Sequence, residues 1–166
     1  MRKITTSIFV LSLALITFTG CKKDDAPAEV YPAGQGKITG TNGLSFDVSG
    51  ANAVFNRQPT GGYDAISIVA MLSTAPVKMV TIHLVDITAT GTYSLDPGSS
   101  TDLAQVTYVA GSGSSDNYVS ALSTTSHGTI TVTAISATSI EGTYTTKVTN
   151  LTGAAISFSG TFKGNF

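Results

Sequence analysis

The chain is poor in the residue types that usually build reactive sites. Its 166 residues include one cysteine, two histidines and no tryptophan, and only 11% of them are charged. A single cysteine excludes an internal disulfide, so the fold has to depend on its hydrophobic core. Beyond residue 35 its five lysines and arginines are scattered one by one. This distribution excludes the clustered basic face that binds nucleic acid.

The sequence motifs of common active sites are missing as well. The chain contains no Gly-x-Ser-x-Gly turn, no His-Glu-x-x-His, no P-loop and no Cys-x-x-Cys. These motifs mark hydrolase, zinc, nucleotide and redox sites respectively. We therefore predict a protein that is not an enzyme, with no catalytic residue, no cofactor and no metal ion.

The N-terminal segment is typical of an export signal. Arg2 and Lys3 give it a positive start, residues 8–16 form an apolar run, and Gly20 directly precedes Cys21. This order is that of a cleaved secretory signal, here residues 1–20. The apolar run is too short for a transmembrane helix, which needs about 20 apolar residues.

Cys21 is the predicted lipid attachment site. The segment Thr19-Gly20-Cys21 resembles the end of bacterial lipoprotein signals, in which the cysteine is acylated and becomes the first residue of the mature chain. Phe18 departs from that pattern, which usually has an aliphatic residue there. The alternative interpretation is a free thiol at the end of an ordinary secretory signal. Acylation would make the membrane a partner of this protein through the lipid anchor.

The residues after the cysteine predict where the protein is located. Lys22, Lys23, Asp24 and Asp25 resemble the lysine and acidic tract that sends Bacteroidota lipoproteins to the outer face of the outer membrane. The alternative is a solvated charge cluster. Residues 21–35 contain proline, glycine and few apolar side chains, which is typical of a flexible tether that spans at most roughly 45 Å. The predicted location is the outer membrane, at the cell surface.

Residues 36–166 are predicted to form a single all-β domain. No stretch shows helical apolar spacing, and Thr, Val, Ile, Tyr and Phe dominate between short breaks of Gly, Pro, Asn and Asp. One face of each strand is apolar and the other is rich in Thr and Ser, which indicates antiparallel pairing. We predict about nine or ten short strands in an antiparallel β-sandwich or a flattened barrel, two architectures that this pattern fits equally well.

The strand limits follow from the alternation of apolar and polar residues. Residues 129–134 place Ile130, Val132 and Ala134 on the core face, and residues 140–148 form a hairpin with the strand that begins at Ala154. The more apolar segments 66–72 and 77–85 are the predicted central strands. The remaining predicted strands are 44–48, 53–55, 92–95, 104–110 and 118–122.

A recurring triplet carries a resemblance to a known family. Gly-Thr followed by an aromatic or aliphatic residue occurs at Gly91-Thr92-Tyr93, Gly128-Thr129-Ile130, Gly142-Thr143-Tyr144 and Gly160-Thr161-Phe162. The unequal spacings exclude a solenoid or propeller repeat. The succession GTYSL, GTITVTAIS, IEGTYTTKVTN and ISFSGTFKGNF resembles an uncharacterised family of Bacteroidota β-rich surface lipoproteins. The resemblance covers residues 36–166 and implies an architecture and a cell-envelope location, without an assigned activity.

Two pairs of loop residues are weak candidates for a ligand site. Asp96 and Asp102 are close enough in one loop to share a hard cation such as calcium. The alternative is that Asp with Pro, Gly and Ser is ordinary turn chemistry. Tyr63 and Tyr118 lie at loop ends, where binding residues concentrate. For both tyrosines the alternative is an aromatic plug at a sheet edge.

The two histidines are predicted to lie at the surface or rim of the domain. His83 falls inside a strand, and His127 lies at the entrance of another. Neither is accompanied by a sequence pattern that would make it a general base. We therefore expect each to be a surface or rim histidine and not a general base.

Together these features predict a lipid-anchored, non-enzymatic envelope protein. Its domain would be a structural or binding module whose ligand or protein partner no motif identifies. The alternative is a small-molecule or glycan-binding barrel, which needs an interior cavity. Phe158, Phe162 and Phe166 share one face of the last strand, which also resembles the closing strand of an outer-membrane barrel. Their rings would face lipid in that barrel and would be core in a sandwich.

Overall fold

The domain is all-β, as the sequence predicts. A computed structural model describes residues 29–60, 62–96, 103–122 and 127–166. Within these residues no helix is both long and apolar enough to cross a bilayer. Two short 3-10 helical turns occupy Ser114–Asp116 and Ser120–Leu122. The strands are β1 (Gln35–Gly40), β2 (Phe46–Thr60), β3 (Tyr63–Thr74), β4 (Val77–Val85), β5 (Gly91–Ser94), β6 (Leu103–Val109), β7 (Asn117–Val119), β8 (Gly128–Ile135), β9 (Ser139–Thr149) and β10 (Ala155–Asn165).

Eight of the strands close into a barrel. Their order around the ring is β1, β2, β3, β4, β6, β7, β9 and β10, and β10 pairs with β1. All of these neighbours are antiparallel. β7 and β9 are joined by a single pair, Val119 opposite Thr149. β8 pairs with β9, and β5 pairs with β8. The closed ring identifies the barrel as the correct one of the two predicted architectures.

The interior of the barrel is filled by its own side chains. Tyr144, Phe55 and Phe162 are the largest of the nearly fully buried residues. A Cβ atom at Gly36 would lie 2.3 Å from the Phe55 ring, and one at Gly164 would lie 2.6 Å from it. The neighbouring strands β1 and β10 thus each have a glycine at the place where the Phe55 ring packs. The phenylalanines of β10 point into the barrel and are core, as expected for the sandwich interpretation.

Tyr144 brings a polar atom into this core and satisfies it. Its hydroxyl donates a hydrogen bond of 2.8 Å to the backbone carbonyl of Thr39. Burial raises the pKa of Tyr144 well above its usual range. Its ring meets Phe158 edge to face, with 5.9 Å between the ring centroids. The tyrosine therefore connects β9 to β1 across β10.

The strand directions define two ends of the barrel. The terminal end carries the β2–β3 and β8–β9 turns, the β4–β5 loop and both ends of the described domain, where Ala33 pairs with Asn165. The far end carries the β1–β2, β3–β4, β6–β7 and β9–β10 connections. The chain that leads out of the predicted tether therefore enters the barrel at its terminal end.

The predicted strands 44–48 and 53–55 are wrong as separate elements, because residues 46–48 and 53–55 belong to the single strand β2, which begins at Phe46. The first residues of β2 pair with β1, and residues 53–60 pair with β3. Gly50, with φ of +66°, lies at a register shift in the pairing with β1, where Gly36 is opposite Gly50 and Gln35 is opposite Val54. Such a backbone conformation is readily adopted by glycine.

Two other local predictions also need correction. Ala134 is exposed instead of buried, because a β-bulge between Val132 and Ala134 inserts one residue and reverses the phase of β8. The predicted strand 118–122 ends at Val119, where the chain turns into a 3-10 helix. The hydroxyl of buried Ser120 accepts a hydrogen bond of 3.1 Å from the backbone N–H of Val106, which replaces strand pairing at this point.

The apolar segments predicted as central strands became part of the barrel wall. They correspond to β3 and β4, whose inward residues are fully buried. Their additional apolar side chains, Val69 and Met71, lie on the outer face, and Met71 is 36% exposed. A closed ring of strands has no central strand. The high apolar content of β3 and β4 therefore indicates that their outer face is less polar.

Candidate functional site

A cleft of about 670 Å³ opens at the terminal end of the barrel. It lies between the end of the β2–β3 hairpin, the β8–β9 turn and the last residue of the chain. Its walls are largely apolar, with one guanidinium and one carboxylate among them. The lining residues are Arg57, Pro59, Asp64, Thr88, Ile135, Ser136, Ala137 and Phe166.

Arg57 is the centre of this cleft. Its Nε donates to both carboxylate oxygens of Asp64 at 2.9 and 3.0 Å, and its Nη2 also donates to that carboxylate. Its Nη1 donates to the backbone carbonyl of Ser136 at 2.6 Å. The guanidinium carbon lies 5.6 Å from the centroid of the Phe166 ring, within the range of a cation–π contact. Arg57 thus joins β2, β3, the β8–β9 turn and the C-terminal residue.

The hairpin geometry brings the two charges together. Pro59 lies opposite Asp64, and Arg57 lies opposite Ile66, so Arg57 and Asp64 are diagonal neighbours on adjacent strands. Diagonal neighbours are within reach of a long side chain. Each of the two charged side chains is about one-fifth exposed, so water screens the pair only partly.

The carboxylate is further fixed by its own backbone. The N–H of Asp64 donates to Oδ1 of Asp86 at 2.9 Å, and the N–H of Asp86 donates to the carbonyl of Asp64 at 2.9 Å. The hydrogen bonds from Arg57 hold the pKa of Asp64 below its ordinary value and exceed the opposing effect of burial. Asp64 is therefore ionised at neutral pH and has no proton to give. The pair is suited to fixing the shape and charge of the cleft, and does not suit acid–base chemistry.

Asp64→Asn should lower the free energy of unfolding at pH 7 by roughly 1–3 kcal/mol, because it leaves a part-buried guanidinium without its charged acceptor. The folded-state pKa of Asp64 is depressed, so its stabilising effect is complete above the ordinary value of 3.8 and is lost as the pH falls through the folded value. The difference between wild type and variant should therefore narrow below about pH 4. Urea unfolding followed by circular dichroism at several pH values measures it.

Asp47→Asn is the matched control for that experiment. Asp47 lies 3.2 Å from Lys37, but its side chain is 64% exposed, so its loss should change stability by less than about 0.5 kcal/mol. Equal effects of the two substitutions at pH 7 would contradict a structural role for the pair in the cleft.

A serine, a histidine and an aspartate also meet in the structure, without forming a catalytic triad. Nδ1 of His127 lies 2.6 Å from the backbone carbonyl of Ser120, and its Nε2 lies 3.7 Å from Oδ1 of Asp96. The hydroxyl of Ser120 is fully buried and accepts from the N–H of Val106. A nucleophilic serine has to present its hydroxyl to the histidine and to substrate, which this one does not do.

His127 is buried and does not lie at the surface, as one form of the prediction had it. Only 8% of the residue is accessible, and its backbone carbonyl accepts from the N–H of Lys147 at 3.1 Å. His127 packs between the turn after β7 and the strand β9, where the barrel wall is joined by one residue pair. His83 is exposed, as expected, and lines a smaller cleft of about 280 Å³ together with Leu95, Asp96 and Gln105.

The structure does not bring the two candidate tyrosines together. Tyr63 begins β3 at the terminal end and is 64% exposed, next to Asp64. Tyr118 lies on β7 towards the far end, where its ring packs against Tyr108 with 5.8 Å between centroids. Burial raises the pKa of Tyr108, and the charge of Tyr118 raises it further. The two tyrosines therefore do not line one common cleft.

Several other predicted site residues lie outside the described residues. These are Asp102, the predicted lipidation site Cys21 and the tract of Lys22, Lys23, Asp24 and Asp25. Asp96 is described, and its backbone N–H donates to the hydroxyl of Ser94 at 3.2 Å, a local turn contact. In the described parts of the chain, no three His, Cys, Asp or Glu side chains group in a way that could hold a metal ion.

The residues that form the cleft were not identified from the sequence. Arg57 counted only as one of several scattered cations, and Asp64 as one acid in a loop. One sequence feature could have predicted the Arg57–Asp64 ion pair: the two residues lie on either side of Gly61-Gly62. In a hairpin, residues at similar distances from the turn face each other, so opposite charges there predict a cross-strand ion pair.

Comparisons of this chain with protein-family models, with curated proteins and with solved structures give no match.

Proposed function

We propose that this chain is a lipid-anchored, non-enzymatic binding module of the cell envelope. The observation that carries the proposal is the short distance in sequence between Cys21 and the barrel. Ala33 already pairs with Asn165 at the terminal end. A lipid on Cys21 would therefore hold the barrel within a few nanometres of the membrane, with its terminal end towards the bilayer.

The packed interior supports binding at the outer surface. Tyr144, Phe55 and Phe162 occupy the space that a lipocalin-like ligand would need. Clefts formed by the described residues lie at both ends of the barrel and on its outer wall. This arrangement favours a surface-binding module over a barrel that encloses its ligand.

The polar side chains described above bind each other or the backbone, which supports a non-enzymatic role. Arg57 and Asp64 bind each other, and the imidazole of His127 binds a backbone carbonyl. Catalysis needs an ionisable group that meets a substrate and changes its protonation or bonding. These groups instead hold strands and turns together.

The proposed location at the cell surface rests on the tract that follows the cysteine. Lys22, Lys23, Asp24 and Asp25 give the short tether its charges. Lys37 and Lys163 lie opposite each other on β1 and β10, but each lies beside an acidic side chain, so this pair of lysines would not hold the barrel to an acidic surface by charge alone.

Cys21→Ser should move the protein from the membrane fraction to the soluble fraction of lysed cells, because stable anchoring depends on acyl chains that bury about 0.8 kcal/mol per methylene. Ultracentrifugation with immunoblotting measures the distribution, and incorporation of a labelled fatty acid reports acylation directly. Thr19→Ser keeps the cysteine and serves as control, so it should remain labelled and sediment with membranes. Sedimentation of the Cys21→Ser protein with membranes after a high-salt wash would contradict the proposal.

A further inference from the structure

The outer face of five adjacent strands carries a grid of hydroxyl groups. The strands are β5, β8, β9, β10 and β1, which are paired in this order. One row across them consists of Thr92, Thr131, Thr143, Thr161 and Thr39. A second row, two residues away along each strand, consists of Ser94, Thr129, Thr145, Ser159 and Thr41. All ten positions are at least partly open to solvent.

Contacts between strands hold these hydroxyls in place. Thr39 and Thr161 are joined at 2.9 Å, and Thr92 and Thr131 at 3.0 Å, oxygen to oxygen. A hydroxyl has one donor and two acceptor positions, so each joined pair still offers one hydrogen and several lone pairs to a ligand. The hydroxyls repeat about every 4.8 Å across the strands and about every 6.7 Å along them. The surface is thus preorganised, which reduces the entropy lost on binding.

Two shallow clefts lie on this face along the β9–β10 pair. One, of about 310 Å³, is lined by Thr145, Ser157 and Ser159, and also by Asn42 and Lys147. The other, of about 360 Å³, is lined by Thr143 and Thr161 and by two lysines and two glutamates, whose charges balance: Lys37, Lys163, Glu29 and Glu141. Because both clefts follow the same two strands, an extended ligand that runs along β9 and β10 would occupy them in succession.

Two of the lysines beside the grid are paired with acidic side chains. Lys163 lies 3.0 Å from Glu141, and Lys37 lies 3.2 Å from Asp47. The ten grid positions themselves carry no ionisable group. A ligand that matches this face is therefore neutral, long, and able both to donate and to accept hydrogen bonds at regular intervals.

We propose that the hydroxyl grid and its two clefts bind a neutral polysaccharide chain. Sugar hydroxyls supply donors and acceptors, and the threonine methyl groups supply apolar contacts for the C–H faces of the rings. Tryptophan is absent from the chain, so affinity has to come from several sugar units in succession and a single sugar should bind weakly. This inference rests on the proposed binding function and names its ligand class.

The test is native gel electrophoresis of the full chain in gels that contain a soluble polysaccharide. The probes are an α-glucan, a mixed-linkage β-glucan and a mannan, with polygalacturonate as the acidic comparison. The protein is kept in a polyoxyethylene detergent, which has no sugar headgroup. We expect at least one neutral polysaccharide to retard the protein, with little effect of added salt. Retardation by none of them, or by polygalacturonate alone with loss in salt, would overturn the proposal.

Thr143→Val with Thr161→Val removes two adjacent hydroxyls while keeping side-chain volume and strand propensity. We expect the dissociation constant to rise at least about tenfold, equivalent to 1.4 kcal/mol. The control is Thr81→Val with Thr107→Val, a cross-strand threonine pair on β4 and β6 at the opposite wall. It should bind as wild type does. Equal binding by both double variants, each with a wild-type melting temperature, would overturn the assignment of this face.

The experiment separates this inference from the proposed function. Normal acylation and sedimentation of a protein that binds no neutral glycan would remove the ligand class and leave the anchored module intact. Glycan binding by a protein that is never acylated would remove the lipid anchor and leave the ligand class intact.

Discussion

Replacing Phe162 with alanine is expected to reduce the free energy of unfolding by roughly 3–5 kcal/mol. Phe162 is 1% exposed and lies on β10, inside the barrel. A Cβ atom at Gly142 on the neighbouring strand would lie 2.5 Å from the end of its ring, so the ring fills space that β9 leaves free. Removing it leaves a cavity between strands whose hydrogen bonds resist collapse. Urea unfolding followed by circular dichroism measures the change.

Leu151→Ala is the control for this substitution. Leu151 lies in the β9–β10 turn and is 77% exposed, so its loss should change stability by less than about 0.5 kcal/mol. A loss of less than about 1 kcal/mol for Phe162→Ala would show that the ring is not part of the core. It would also reopen the alternative in which the rings of β10 face lipid.

Gly160→Ala is expected to have an effect of similar size by the opposite mechanism, through excess volume. A Cβ atom at Gly160 would lie 1.9 Å from the backbone carbonyl oxygen of Thr39 and 2.8 Å from the hydroxyl of Tyr144. The obstacle is backbone of β1, which cannot rotate away. Either the β1–β10 pairing or the Tyr144 hydrogen bond has to be lost. We expect destabilisation of roughly 3 kcal/mol or more, or failure to accumulate folded protein.

Gly153→Ala separates this clash from the general effect of replacing a glycine. Gly153 has φ of +85°, and a Cβ atom there would meet no heavy atom within 4 Å. Its substitution should cost only the strain of a left-handed conformation, about 1–2 kcal/mol. Thermal melts of both variants give the comparison. If Gly160→Ala is no worse than Gly153→Ala, the close approach of β1 and β10 at Gly160 is not as the structure has it.

The sequence predicted the fold best where apolar and polar residues alternate regularly and the strand pairs with its neighbour in sequence. The phase of β9, with Ile140, Tyr144 and Val148 buried, was predicted correctly, and so was its hairpin with β10. Both strands pair with near neighbours in sequence through a short connection, so local patterns contain the needed information. The prediction failed at Ala134, where one additional residue in β8 reverses the phase. A bulge depends on the partner strand and leaves no mark in the alternation itself.

Closure of the barrel and the terminal cleft depend on contacts between distant parts of the chain. Whether strands form a sandwich or a ring depends on the pairing of β1 with β10, which joins the two ends of the domain. The contacts of Arg57 with the Ser136 carbonyl and with Phe166 depend on the same closure. Neither the carbonyl nor the ring has a sequence pattern that points to an arginine far away. His127 became buried for a comparable reason, because it packs against the turn after β7.

The position of β1 determines how the barrel responds to force. β1 is held between β2 and β10, and the chain leaves its first residue at the terminal end, towards the predicted tether. The hydrogen bonds of an antiparallel pair lie across the strand direction. A pull on the N-terminal segment along β1 therefore loads both ladders in shear, and many bonds have to break together before the strand slides. β5, which within the described residues pairs only with β8, would instead peel away one bond at a time. An anchor on the proposed tether would therefore pull on a strand that is paired on both sides and resists sliding.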